Sequence, residues 1–277
     1  MGTTRDYPLG YSELEERRLA EQGALLEGFT ADVFRRAGLR EGMTVLDVGC
    51  GVGDVSLLAA RFVGPKGAVL GIDRAASSVQ TARSRATALG VAHARFEQAD
   101  LASFETRQTF DALVGRLVLL YLPDPAGTLK RLSQYLRPGG IVAFQEFDMT
   151  ATSQVPPGEL FVKVRSWLLA AFTAAGAQLD MGTKLYSTFL RAGFPAPDMT
   201  AAAIVVCGPI PTGYGYPVGV LRSLLPLIER TGIAAATEID IDTLAVRMHE
   251  DALVHERVMF LPRVVGAWTA LPAMQQA

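Results

Sequence analysis

The feature that most constrains this chain is the stretch Val45 to Ser56, V-L-D-V-G-C-G-V-G-D-V-S. Val45, Leu46 and Val48 form a short apolar run of the kind that makes a buried strand. Gly49, Gly51 and Gly53 then punctuate every second position, and Val55, Leu57, Leu58, Ala59 and Ala60 resume at helical spacing. The reading is strand, glycine turn, helix. Glycine is required where the backbone takes positive φ or where a ligand must approach without meeting a Cβ. The first turn of the following helix adds unpaired N–H groups. A turn of this kind at the carboxyl end of a parallel strand is where doubly wound sheets bind nucleotides.

Spacing narrows the ligand. The dinucleotide pattern is G-x-G-x-x-G, whereas here D-x-G-x-G-x-G runs from Asp47 to Gly53, with the third glycine one residue early. An acid two residues before the first glycine suits a cationic amino acid moiety better than a pyrophosphate. On these residues the stretch resembles the class I S-adenosyl-L-methionine (AdoMet) methyltransferases. The competing structural reading is a tight strand–helix turn with no ligand.

Further stretches in order carry the same resemblance. Ala68 to Ile72 reads as the second strand and ends at Asp73, followed by Arg74. That is where an acid accepts both ribose hydroxyls. Ser77 to Leu89 reads as a helix and Ala94 to Gln98 as the third strand, followed by Ala99, Asp100 and Leu101. The resemblance implies that Asp100 accepts the adenine amino group while its neighbours border the ring; a carboxylate only accepts and the amine donates. Phe110 to Val114 reads as the fourth strand, with Arg116 just beyond it, placed to pair with the AdoMet carboxylate or with a substrate acid. Ala126 to Leu136 reads as a helix, R-P-G-G at Arg137 to Gly140 as a turn, and Ile141 to Phe147 as the fifth strand. Met199 to Val206 suits the sixth. Val258 to Ala267 is assigned as an antiparallel seventh between the fifth and sixth, with Pro262 awkward inside it.

The expected fold class is therefore α/β: a doubly wound, seven-stranded, mostly parallel sheet of the Rossmann-like methyltransferase type, with a leading helical segment and helical cap insertions. The leading segment is residues 1–41 and the AdoMet-binding core 42–148. Insertions at 149–181 and 207–257 flank a continuation of the core at 182–206, and 258–277 holds the last strand and tail. Ser12 with Glu15 makes a capping box at the head of the leading helix. Arg18-Leu19-x-x-Gln22 resembles a leading helix that closes over AdoMet in small-molecule methyltransferases, with Tyr11 and Gln22 as candidate contacts. The same helix offers a surface for docking a second copy. Topology sends both insertions to the carboxyl edge of the sheet, where they are expected to form a cap over an apolar substrate site.

Composition bounds the partners. Net charge is −2 with no long basic run, which disfavours RNA or DNA as substrate. Two cysteines, Cys50 and Cys207, make no disulfide framework and fit a reducing cytoplasm. Met1 to Glu21 is polar, unlike a signal peptide, and no apolar run is long enough to span a membrane.

The expected cofactor is S-adenosyl-L-methionine, held by Asp47, Gly49, Cys50, Gly51, Gly53, Asp73, Arg74, Ala99, Asp100, Leu101, Arg116, Tyr11 and Gln22. Methyl transfer is an in-line displacement at carbon and needs positioning more than a triad. Tyr11, His249 and His255 are the candidate bases for a hydroxyl or acidic carbon. The two histidines are six residues apart on a helix and cannot share a ligand, so no metal is expected. The leading reading is a methyltransferase acting on a small, largely apolar acceptor such as a secondary metabolite. It resembles the quinone-type and natural-product enzymes, with carbon, oxygen or nitrogen left open as the acceptor atom. The alternatives are an AdoMet- or adenosine-binding protein without methyl transfer, and a nicotinamide-dependent oxidoreductase.

Overall fold

The computed structural model describes residues 13–209 and 212–273. The candidate contact Tyr11 and the Ser12 cap lie outside them. In chain order the elements are α1 (Glu13–Ala37), β1 (Thr44–Val48), α2 (Asp54–Val63), β2 (Ala68–Asp73), α3 (Ala76–Ala88), β3 (Ala94–Gln98) and β4 (Phe110–Arg116). Next come α4 (Pro125–Leu132), β5 (Leu136–Asp148), β6 (Ser153–Val155), α5 (Glu159–Ala174), α6 (Met181–Arg191), β7 (Asp198–Ala202) and β8 (Val205–Val206). The chain closes with α7 (Thr212–Thr231), α8 (Ala236–Ile239), α9 (Ile241–Val254), β9 (Val258–Phe260) and β10 (Arg263–Ala270).

Two compact units result. Among the described residues, one comprises Leu19–Glu146, Met181–Ala201 and Val265–Ala273; the other comprises Glu13–Arg18, Phe147–Asp180 and the described part of Ala202–Val264.

The first unit is built on a seven-stranded sheet in the order β3-β2-β1-β4-β5-β10-β7. The pairs β1–β2, β1–β4, β2–β3 and β4–β5 are parallel. β10 runs the other way: the Leu271 N–H, just past its end, donates to Gly140 O near the start of β5, at 2.8 Å. The central strands are apolar runs because both faces are covered. Val45, Val69, Val114 and Ala143 are buried in one cluster with Val33 and Phe34 of α1, Leu58 and Ala59 of α2, and Trp268 of β10. Asp124 caps α4, accepting from the Gly127 N–H at 2.9 Å, with Pro125 at the first helical position.

The second unit joins α5, α7 and α9, which pack on one another, with a three-stranded antiparallel sheet, β6-β9-β8. At the head of α1, Glu15 and Arg18 form a buried ion pair with two bonds of 2.7 and 2.6 Å. Ser223 of α7 donates to the same Glu15 carboxylate at 2.8 Å.

Several expectations are corrected. The stretch 258–267 is two strands: β9 belongs to the small sheet and β10 is the antiparallel strand of the large one, with Pro262 at the break. Pro262 has no N–H to give a ladder, so the chain changes sheets there. Met199 to Val206 divides in the same way into β7 and β8. The expected R-P-G-G turn lies inside β5, which starts at Leu136, and β4 extends to Arg116. The insertion at 149–181 is not wholly helical, since it supplies β6, while β8 and β9 of the small sheet come from the stretches expected to continue the core and to form the last strand.

Candidate functional site

The glycine turn closes the carboxyl end of β1 and is fastened to β2. Both the Gly49 and Cys50 N–H groups donate to Ile72 O, at 2.8 and 3.0 Å. The Gly51 N–H donates to Asp73 Oδ2 at 2.9 Å, and Asp73 Oδ1 accepts from the Ala75 N–H at 2.9 Å. Gly49, Gly51 and Gly53 have φ of 68°, 52° and 90°, a region that L-residues rarely adopt. Their surroundings differ. A Cβ on Gly49 would lie 2.5 Å from Val118 Cγ2, and one on Gly53 3.1 Å from both Ala82 and Phe96. A Cβ on Gly51 would meet nothing within 4 Å. The outer glycines are therefore packing positions, and the middle one faces open space.

Asp47 lies beneath this turn, buried, its Oδ2 accepting from the Ser56 hydroxyl at 2.5 Å. Burial raises its pKa to about 7; the Ser56 bond and the Arg116 charge oppose the rise, and Asp73 and Asp54 add to it. Burial, reinforced by Asp47 and Asp73, also pushes the Cys50 thiol well up, so Cys50 is a neutral packing group. Arg85 of α3 braces the outside of the turn, donating to Val52 O at 2.6 Å and to Asp54 at 2.7 Å.

The other expected residues gather around the same edge. The Arg74 carbonyl accepts from Gln98 at 3.0 Å, and the Ala99 N–H donates to Asp73 O at 2.9 Å. The Ala99 amide is thus engaged within the protein. Asp100 Oδ1 accepts from the Ala102 N–H at 2.8 Å, shaping the loop that carries Leu101. Arg116 is the last residue of β4 and donates to Thr30 Oγ1 of α1 at 2.9 Å, so it is tied into the fold and is no isolated surface arginine. Gln22 is half-buried on α1. The next residue, Gly23, lets the helix pass directly over Asp54, the first residue after the glycine turn.

The two candidate histidines, His249 and His255, belong to the other unit. His249 has its Nε2 3.2 Å from Gly208 O and its ring against Tyr214. His255 ends α9, exposed, with Nδ1 3.0 Å from Asp251 O. In each ring one nitrogen lies at hydrogen-bond distance from a backbone carbonyl.

Four residues went unread. Gly23 looked like an ordinary helical glycine, and its one signal was its position in an otherwise good helix. Thr30 and Gln145, both fully buried, join Arg116 in one cluster, with Thr30 Oγ1 2.9 Å from Gln145 Oε1. Glu146, also fully buried, follows Gln145 in the run F-Q-E-F. Two consecutive polar residues inside an apolar strand were the available signal.

The strand order with an antiparallel strand second from the edge, and an acid-glycine turn clasped by the acid ending β2, define a nucleotide-binding α/β domain of the AdoMet type. The residues fit that ligand: Gly51 leaves backbone open to close approach, and Asp73 at the end of β2 and Asp100, two residues past β3, offer acceptors for ribose and adenine donors. Residues 39–193 match the family model described as a methyltransferase domain, more than half of the chain. The chain belongs to the class I AdoMet-dependent methyltransferase family.

Among curated relatives, a trans-aconitate 2-methyltransferase of Methylobacterium nodulans is 41% identical over 116 residues, covering 42% of each chain. The aklanonic acid methyltransferase DauC of Streptomyces sp. strain C5 is 38% identical over 105 residues, covering 37% of this chain and 47% of the relative. The chain thus spans less than half the length of these two relatives. Among solved structures, the Haemonchus contortus phosphoethanolamine N-methyltransferase 2 in complex with S-adenosyl-L-methionine superposes with a TM-score of 0.54 at 16% identity, over 88% of this chain and 52% of the other. Among the described residues no helix is long and apolar enough to cross a membrane.

Proposed function

We propose that this protein transfers the methyl group of S-adenosyl-L-methionine to a small, largely apolar acceptor of the secondary-metabolite kind, at carbon or oxygen. The observation that carries this reading is the glycine turn: Gly51 open to a ligand while its own amide is held by Asp73. A small-molecule acceptor is supported by the names of the two curated relatives, each of which specifies a small organic acid.

In this reading AdoMet supplies an electrophilic methyl on its sulfonium, and the chain supplies grip and orientation. Asp73 accepts the ribose hydroxyls with the lone pairs left over from Gly51 and Ala75. Asp100 accepts the adenine amine, with Leu101 beside the ring. Asp47 lies beneath the turn on the amino acid side and adds negative potential there as pH rises past its raised pKa of about 7, and Arg116 pairs with the carboxylate at that end. Gln22 reaches the same end from α1. Orienting two reactants in this way is worth about 7–11 kcal/mol of barrier, which is why no side-chain nucleophile is required.

The test is incubation with methyl-labelled AdoMet and a panel of small phenols, enols and carboxylic acids. Label is expected in the extracted acceptor. Binding of S-adenosylhomocysteine without transfer to any acceptor would favour the second reading, a ligand-binding protein of the same fold.

A further inference from the structure

The corner after β4 is strained and held from one side. Leu117 has φ +56°, a left-handed conformation that a leucine adopts at a cost. Its N–H donates to Gln145 O at 2.8 Å, consistent with the register that sets Arg116 beside Gln145. The next two N–H groups, of Val118 and Leu119, both donate to one oxygen of Glu146, at 3.0 and 2.7 Å. The other oxygen of that carboxyl has no hydrogen-bond partner among the described residues.

Glu146 is an expensive way to fill this position. It is 0% exposed, near the end of a strand whose neighbours are apolar, and burial raises its pKa to about 8. An apolar side chain would cost less but would leave two amides, one buried and one part-buried, without their acceptor. What the carboxyl secures is the place of Val118, whose side chain abuts Gly49, the first glycine of the turn. A chain of direct contacts therefore runs from Glu146 through the Val118 backbone to its side chain, and from there to Gly49.

We propose that Glu146 is a positioning residue for the methyl donor: it fixes the Leu117–Leu119 corner, and Val118 passes that position to the glycine turn. The inference rests on the reading of that turn as the AdoMet site. Nothing in it requires Glu146 to touch the ligand.

The experiment is calorimetric titration of S-adenosylhomocysteine into the full chain and four variants. Glu146→Gln keeps an acceptor oxygen and should bind within about twofold of the unsubstituted protein. Glu146→Met removes the acceptor and should bind at least tenfold more weakly. Val118→Ala keeps both amide bonds but removes the wall beside Gly49, and should bind about threefold more weakly. The double variant Glu146→Met/Val118→Ala should be no weaker than Glu146→Met alone, because both changes act through one contact. Unchanged affinity in Glu146→Met, or losses that multiply in the double variant, overturns the proposal. If Glu146→Met does not fold, unchanged affinity in Val118→Ala overturns it equally. No binding by the unsubstituted chain defeats the reading of the turn itself, and the inference with it. Binding there with no effect of the variants defeats the inference alone.

Discussion

The Asp73 carboxylate accepts the Gly51 backbone N–H at 2.9 Å, so the end of β2 and the middle of the glycine turn form one piece. The same carboxylate anchors the Ala75 N–H at the start of α3. Asp73→Ala should therefore act twice, releasing the turn and removing the proposed ribose acceptor. S-adenosylhomocysteine affinity should fall by about one to two orders of magnitude, on the roughly 1.5–3 kcal/mol scale of a charged hydrogen bond. A thermal melt should show a smaller loss of stability. Unchanged affinity in a folded variant would remove Asp73 from the site.

Gly49 and Gly51 should respond differently to alanine. At Gly51 the added methyl meets nothing within 4 Å, so Gly51→Ala costs only the left-handed conformation, about 1–2 kcal/mol, while narrowing the approach to the turn. At Gly49 the methyl also collides with Val118, so stability should fall further. Chemical denaturation paired with ligand titration checks this. Gly51→Ala should lose affinity out of proportion to stability, and Gly49→Ala should be the less stable of the two.

Asp47 and Glu146 predict a pH dependence of stability. Both pKa values are raised in the folded state, to about 7 and about 8, mainly by burial. The folded protein holds protons that the unfolded chain releases, so the contribution of these groups is complete below their ordinary pKa values. It is lost as pH rises towards 7 and 8, with a slope of at most about 1.4 kcal/mol per pH unit for each group. Urea denaturation at pH 5.5, 6.5 and 7.5 should show falling stability, with a shallower fall in Glu146→Gln. Equal slopes in the two proteins would show that Glu146 does not hold a proton.

The head of α1 makes a separate prediction. Glu15 and Arg18 are both buried and paired, and Ser223 donates to the same carboxylate. Glu15→Ala removes the carboxylate that accepts from two Arg18 nitrogens and from Ser223 inside the fold, and should cost about 3–5 kcal/mol. Replacing both, as Glu15→Leu with Arg18→Met, should recover most of that loss. A double variant as unstable as the single one would contradict this account of the pair.

What the sequence made legible followed local rules. The run ending at Val48, the alternating glycines and the acid at the end of β2 each declare themselves within a few residues, and the sheet from β1 to β5 follows from them. The strands β6, β8 and β9 are two or three residues long, too short for a period to register. Val258 to Ala267 read as one strand because its apolar run is continuous, while the deciding fact, that Leu261 donates to Ile204 O in the small sheet before Pro262 ends the ladder, depends on pairing between distant segments. The role of Glu146 was hidden for the same reason: its polarity inside an apolar strand shows, but the amides it serves, at Val118 and Leu119, lie far back in the chain, and nothing local announces that Leu117 takes a positive φ.

The central claim is that the glycine turn serves S-adenosyl-L-methionine and not a dinucleotide. The most direct measurement is calorimetric titration of the full chain with S-adenosylhomocysteine, with NADH as the control. The account predicts micromolar binding of S-adenosylhomocysteine and none of NADH. No binding of S-adenosylhomocysteine, or binding of NADH in its place, would contradict it.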